Sequence, residues 1–149
     1  MQSYDERLTA PPRWWLMAAV AAVCCALIAF PLGNAATIIG LVVGGAVAAV
    51  AVSAYGSARI RVVQGSLVAG DARIPVKALG KAHVLDAEEA AAWRSYRADP
   101  RAFMLLRAYI PTALRVEVVD PEDPTPYLYL STRRPRELAA ALEAVKAAS

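Results

Sequence analysis

The chain has 149 residues, 58% hydrophobic and 19% charged, with a formal net charge of +3 and a mean hydropathy of +0.39. Soluble domains of this size sit near about 45–50% apolar and about 25% charged. The balance excludes a disordered tail or a nucleic-acid arm and points to a membrane protein.

Residues 1–13 read as a cytoplasmic N-terminal segment. From Trp14 to Ala58 no residue is charged, a run of 45 positions. A bilayer core about 30 Å thick is crossed by about 20 apolar residues. The run therefore predicts a transmembrane helical hairpin over 14–56, with spans at about 14–32 and 36–55. Pro31, Gly33 and Asn34 mark a tight turn between them, which makes the spans antiparallel neighbours. Arg7 and Arg13 precede the hairpin, Arg59 and Arg61 follow it, and the turn has no basic residue. The positive-inside rule then puts both termini in the cytoplasm and the protein in the cell (plasma) membrane. Trp14, Trp15 and Tyr55 fit as interface anchors on that same side. The rival reading is a secretory signal peptide cleaved near Asn34–Ala36, although Asp5 and Glu6 leave its n-region without net positive side-chain charge.

The second span carries a small-residue stripe through Ala36, Gly40, Gly44 and Ala48, including a GxxxG motif. Such residues let helix backbones approach closely. Gly40, Gly44 and Ala48 are expected to pack the hairpin shut, with a homo-oligomer or a partner helix as the alternative. Cys24 and Cys25 read as inert thiols in mid-span. Neither span contains Asp, Glu, Lys, Arg or His, which argues against a proton relay or transport pathway.

Residues 57–149 are enough for one small cytoplasmic α+β domain. Alternation predicts strands at 59–63, 66–69 and 72–76, with a fourth at 81–85. Asp86 and Glu89 form a capping-box-like pair that opens an inserted helix over 87–97, closed by Asp99-Pro100. Residues 103–106 are an apolar run that periodicity leaves open between helix and strand. Residues 114–118 and 127–130 pair across a proline-rich loop. Pro135 then opens an amphipathic helix with Leu138, Leu142 and Val145 on its apolar stripe. These elements predict an antiparallel meander sheet whose C-terminal helix plugs one open end. The order resembles bacterial pleckstrin-homology-like (PH-like) domains that follow transmembrane hairpins.

A more specific resemblance rests on Tyr4-Asp5-Glu6-Arg7-Leu8 before Trp14-Trp15, on Tyr55-Gly56-Ser57-Ala58-Arg59-Ile60, and on Gly70-Asp71-Ala72-Arg73-Ile74-Pro75. Asp99-Pro100-Arg101-Ala102-Phe103, Tyr109-Ile110-Pro111-Thr112-Ala113 and Ser131-Thr132-Arg133 extend it over nearly the whole chain. The pattern resembles small actinobacterial alanine-rich membrane proteins labelled only as a domain of unknown function. The resemblance implies two spans and a cytoplasmic domain; it implies no activity and no site residues.

No catalytic residue, metal ligand or cofactor is expected. His83 has no neighbouring His or Cys in sequence. No P-loop, Gly-rich dinucleotide turn or nucleophile elbow is present. Asp120, Glu122 and Asp123 cluster without calcium-loop spacing and read as a solvated turn. Arg94, Arg97, Arg101 and Arg107 gather around the inserted helix. Arg133, Arg134 and Arg136 crowd the start of the last helix, where the macrodipole disfavours cations. Either group would suit anionic lipid headgroups or a protein partner, and equally would suit solvent and Glu137. The expected function is a non-catalytic, membrane-anchored interaction or scaffold protein. Its expected partners are membrane lipids and an unidentified protein, without nucleic acid. A lipid-surface sensor or anchor is the alternative, and an enzyme with an unrecognised site is the remote one.

Overall fold

The computed structural model describes residues 2–148. The chain forms two compact units: Thr9–Ala58, and the residues on either side of it.

The first unit is a pair of antiparallel helices, α1 (Pro12–Ala29) and α2 (Asn34–Tyr55). Pro12 opens α1 at a position where its missing N–H costs nothing. A short 3-10 turn over Phe30–Leu32 continues α1 to the connection. Gly33 alone then links the helices, at φ 111°, a left-handed value that a side chain resists. Thr37 bonds back to the Gly33 carbonyl through its hydroxyl, at 2.9 Å, and its backbone N–H, at 3.1 Å. The apolar helices run over 21 and 22 residues, long enough for about 30 Å of hydrocarbon. Their outward side chains, such as Leu16, Ile28, Val42 and Val50, are exposed.

The second unit contains two four-stranded sheets. The first is an antiparallel meander of β1 (Gln2–Arg7), β2 (Arg59–Val63), β3 (Ser66–Ala69) and β4 (Ala72–Pro75), in that order. The second has the order β5-β7-β8-β6, from β5 (Leu79–Leu85), β6 (Phe103–Leu105), β7 (Ala113–Val118) and β8 (Tyr127–Ser131). The helices are α3 (Ala87–Trp93) and α4 (Pro135–Ala148).

Period-two burial follows from the sequence. Ile60, Val62, Leu67 and Ala69 are buried on the first sheet, whereas Arg59 and Arg73 are exposed. On the second sheet Leu114, Val116, Leu128 and Leu130 bury one face. Leu85, Ala113, Tyr127 and Tyr129 bury the other with Ala90 of α3, and Trp93 and Met104 pack at its edge. Thus β8 is buried along its whole length. The α4 stripe buries Leu138 and Leu142.

Four expectations need correction. The 1–13 segment is not separate from the domain, because Gln2–Arg7 forms β1 and pairs with β2 across 51 intervening residues. The strands form two sheets rather than one meander, and the undecided 103–106 run supplies β6, parallel to β8. Finally, α4 packs on β5 and β7 of the second sheet and β1 of the first, so it bridges two sheets rather than plugging one. The inserted helix also stops at Trp93, with turns over the remaining residues to Arg97.

Candidate functional site

The most connected polar cluster of the domain lies where β1 meets the start of α4. Glu6 is only 4% exposed, and its carboxyl group takes three donors. The Tyr4 hydroxyl donates at 2.8 Å, the Arg133 backbone N–H donates at 2.9 Å, and the Thr132 hydroxyl also donates. Thr132 Oγ1 in turn accepts from the Arg134 N–H at 3.1 Å. The Arg133 N–H, two residues before α4, is thus served by a strand 127 residues away in sequence, whereas the Arg134 N–H has a local acceptor in Thr132. Two further contacts fasten β1. The Tyr109 hydroxyl donates to the Leu8 carbonyl, and Arg134 Nη2 donates to the Asp5 carbonyl at 3.0 Å. Sequence reasoning missed Tyr4, Glu6, Tyr109 and Thr132; the one available signal was their recurrence in the segments that carry the resemblance.

Burial pushes the Tyr4 hydroxyl up to about 12, with Glu6 reinforcing the shift and the Thr132 bond opposing it. An unfolded tyrosine ionises near about 10. The folded state therefore prefers the neutral phenol, and its stabilising effect is complete below pH about 10. It is lost as pH rises through the folded value of about 12. Denaturant titration of the protein should show stability falling across that alkaline window. In Tyr4→Phe, which cannot ionise there, the fall should be shallower. Equal slopes for the two proteins would contradict this arrangement.

A second cluster covers the α3 face of the second sheet. Asp86 caps α3 by accepting from Glu89 N–H at 2.9 Å, which aims Trp93 at the sheet. Trp93 meets Tyr127 edge-on, with centroids 5.4 Å apart. The Arg115 guanidinium lies 4.2 Å from the Trp93 ring centroid, within cation–π range. His83 Nε2 lies 3.1 Å from Glu117 Oε1, and Arg115 approaches the same oxygen at 3.9 Å. Among the described residues no three His, Cys, Asp or Glu side chains converge on a point that could hold a metal.

A family model described as a protein of unknown function, DUF3093, matches residues 3–142. The chain belongs to the DUF3093 family. No curated protein and no solved structure matches it. The match runs from β1 through both apolar helices and into α4.

In this DUF3093 chain most of the arginines singled out from sequence have a partner within the domain, although five of the seven are exposed. Arg101 pairs with Asp99 at 3.2 Å, and that pairing holds the Asp99 carboxyl below its usual range. Arg97 lies 5.9 Å from both the Trp93 and Tyr96 rings. Arg94 and Arg107 are half-buried, and Arg107 bonds the Leu106 carbonyl at 2.8 Å. Arg133 lies over Tyr109, while Arg134 lies over Tyr4 and pairs with Glu137 at 3.1 Å. Arg136 is exposed and forms no ion pair among the described residues. Local acceptors thus offset the dipole cost that the sequence suggested for Arg134.

Gly40 and Gly44 face α1. A Cβ added at Gly40 would come 2.9 Å from the Cys25 carbonyl oxygen, and one at Gly44 would come 2.8 Å from Cys25 Cβ. Both glycines therefore serve the packing of the hairpin on itself. Ala48 lines a shallow apolar groove beside this seam, with Ala21, Val43, Val47 and Ala51. Trp14 stacks on Tyr55, with centroids 5.4 Å apart, and Trp15 is 46% exposed. In the proline-rich loop, Asp120 accepts from Glu122 N–H and Asp123 from Thr125 N–H, the latter lowering the Asp123 carboxyl. Those carboxylates stabilise the turn itself.

Proposed function

We propose that this DUF3093 protein is a membrane-anchored, non-catalytic interaction or scaffold protein that presents a PH-like domain at the cytoplasmic face of the cell membrane. The observation that carries the reading is the insertion of the hairpin between two directly paired strands. Arg7 of β1 faces Arg59 of β2 in register. Two flanks of a hairpin that meet in one sheet must emerge on the same side of any membrane the helices cross. The basic flanks favour the cytoplasmic side. Cleavage near Asn34–Ala36 would remove β1 and strand the buried donors of Thr132 and Arg133, which argues against the secretory-leader reading.

The PH-like description is supported by two sheets with a C-terminal helix packed on both. A non-catalytic role is supported by how the polar residues are used. Glu6, Tyr4 and Thr132 spend their bonding capacity on one another, and the His83–Glu117 pair lies on a strand face beside Arg115 rather than beside a nucleophile. Function then rests on what the exposed surface of the domain touches. Crosslinking in native membranes, followed by partner identification, tests this. One protein should be recovered reproducibly, and its recovery should be lost when Glu6→Ala loosens the domain. Recovery of this chain alone across growth conditions would contradict the reading.

A further inference from the structure

The outer face of the first sheet carries four arginines that sequence spacing does not group. Alternation places Arg7, Arg59, Arg61 and Arg73 on that face, opposite to buried Glu6, Leu8, Ile60, Val62 and Leu67. Register brings them together. Arg7 faces Arg59, Arg61 faces Asp5 on one side and Val68 on the other, and Val68 faces Arg73. Asp5 is the one acidic residue among these strand positions, and it is engaged by Arg59 through Nε at 3.3 Å and through Nη2. Arg7 and Arg73 are exposed and form no ion pair among the described residues. Arg61 Nε is buried without a hydrogen-bond partner. Like charges directly opposite on neighbouring strands destabilise a sheet. Such a face is maintained at a cost unless an anion meets it.

We infer that this arginine face, rather than the arginines around α3 and α4, contacts the anionic phospholipid headgroups of the bilayer that holds the hairpin. The inference deepens the membrane-anchored reading and rests on it. Chain length supports the lipid as occupant. Arg7 is five residues before the start of α1 and Arg59 is four after the end of α2. At most about 3.6 Å per residue, those tethers keep both guanidinium-bearing residues within about 18 Å of the helix ends. The headgroup layer, where a negative surface potential attracts basic side chains, falls within that reach.

The test uses the full chain in nanodiscs of phosphatidylcholine alone, or with about one third phosphatidylglycerol, and reads Tm by circular dichroism. Wild type should gain at least about 5 °C from the anionic lipid, and high salt should remove the gain. Arg7→Gln/Arg73→Gln should lose most of that gain yet match or exceed wild type in neutral discs, because the facing-charge repulsion is relieved. That reversal is not expected of a merely damaged fold, and Arg73→Gln alone should lose part of the gain. Arg97→Gln/Arg136→Gln should keep it. An equal gain in wild type and the double variant overturns the inference, as does no gain in wild type. Inorganic phosphate giving the same rise in neutral discs also overturns it, in favour of a free anion. Failure of the chain to enter nanodiscs would instead sink the membrane-anchored reading on which the inference stands.

Discussion

Glu6→Ala is expected to destabilise the protein by about 3–5 kcal/mol. The methyl group would leave three donors without their acceptor: the Tyr4 hydroxyl, the Thr132 hydroxyl and the Arg133 N–H. Tyr4 and Thr132 are themselves buried, so water does not readily replace the carboxyl group. The damage should spread, because the same contacts hold β1 to the start of α4. Glu6→Gln keeps one carbonyl acceptor and should lose roughly half as much. Glu137→Ala, which breaks only the exposed pair with Arg134, should stay within about 0.5 kcal/mol of wild type. Denaturant unfolding of the detergent-solubilised chain measures all three. Similar midpoints for the Glu6 and Glu137 variants would remove the fastening role from Glu6.

Replacing residues 9–57 by Asn-Gly should convert the protein into a soluble, monomeric, cooperatively folded domain. Arg7 and Arg59 face each other across β1 and β2, so Leu8 and Ala58 are the next pair outward in that register. A two-residue Asn-Gly loop suits the twist of such a hairpin. Leu8 and Ala58 are retained because both are buried, and because the Leu8 carbonyl accepts from Tyr109. Removing the segment deletes the two apolar helices without taking a buried residue from either sheet. After high-speed centrifugation without detergent the shortened chain should stay in the supernatant. It should elute as a monomer and unfold in a single transition. A pelleted or molten product would show that the domain depends on the hairpin for its fold. Deleting residues 1–58 instead, which takes β1 as well, should give an unstable product, since Thr132 and Arg133 then lose Glu6.

Much of this fold was legible in the residues, for identifiable reasons. The apolar helices announced themselves by 45 uncharged positions, and their ends fell within a few residues of the expected spans. Asp86 was readable as a cap because the bond it makes, to Glu89 N–H, is local. Strands β2, β3 and β7 alternate strongly enough to declare themselves, and β8 follows as the run that pairs back across the proline-rich loop. What stayed hidden depends on long-range pairing. Two of the inward positions of β1 are Tyr4 and Glu6, so the strand lacks an apolar stripe, and its partner lies beyond the hairpin. β6 is three residues long and gains its identity only from lying parallel to β8. The arginines followed the same rule. Arg133 and Arg134 drew attention by proximity in sequence, yet their partners Tyr109, Tyr4 and Glu137 engage them within the domain. Arg7, Arg59, Arg61 and Arg73 share a face only once β1 to β4 are in register.

In the proposed topology the hairpin crosses the membrane as an insertion between β1 and β2, leaving the whole domain on the cytoplasmic side. Cysteine accessibility in intact cells tests it most directly. With Cys24 and Cys25 replaced by alanine, single cysteines are placed at Asn34, the first residue of α2 beside the turn, and at Glu122, in the exposed loop before β8. A membrane-impermeant maleimide should label Asn34→Cys from outside intact cells, and should label Glu122→Cys only after the membrane is opened. Labelling of Glu122→Cys in intact cells, or protection of Asn34→Cys there, would rule out this topology.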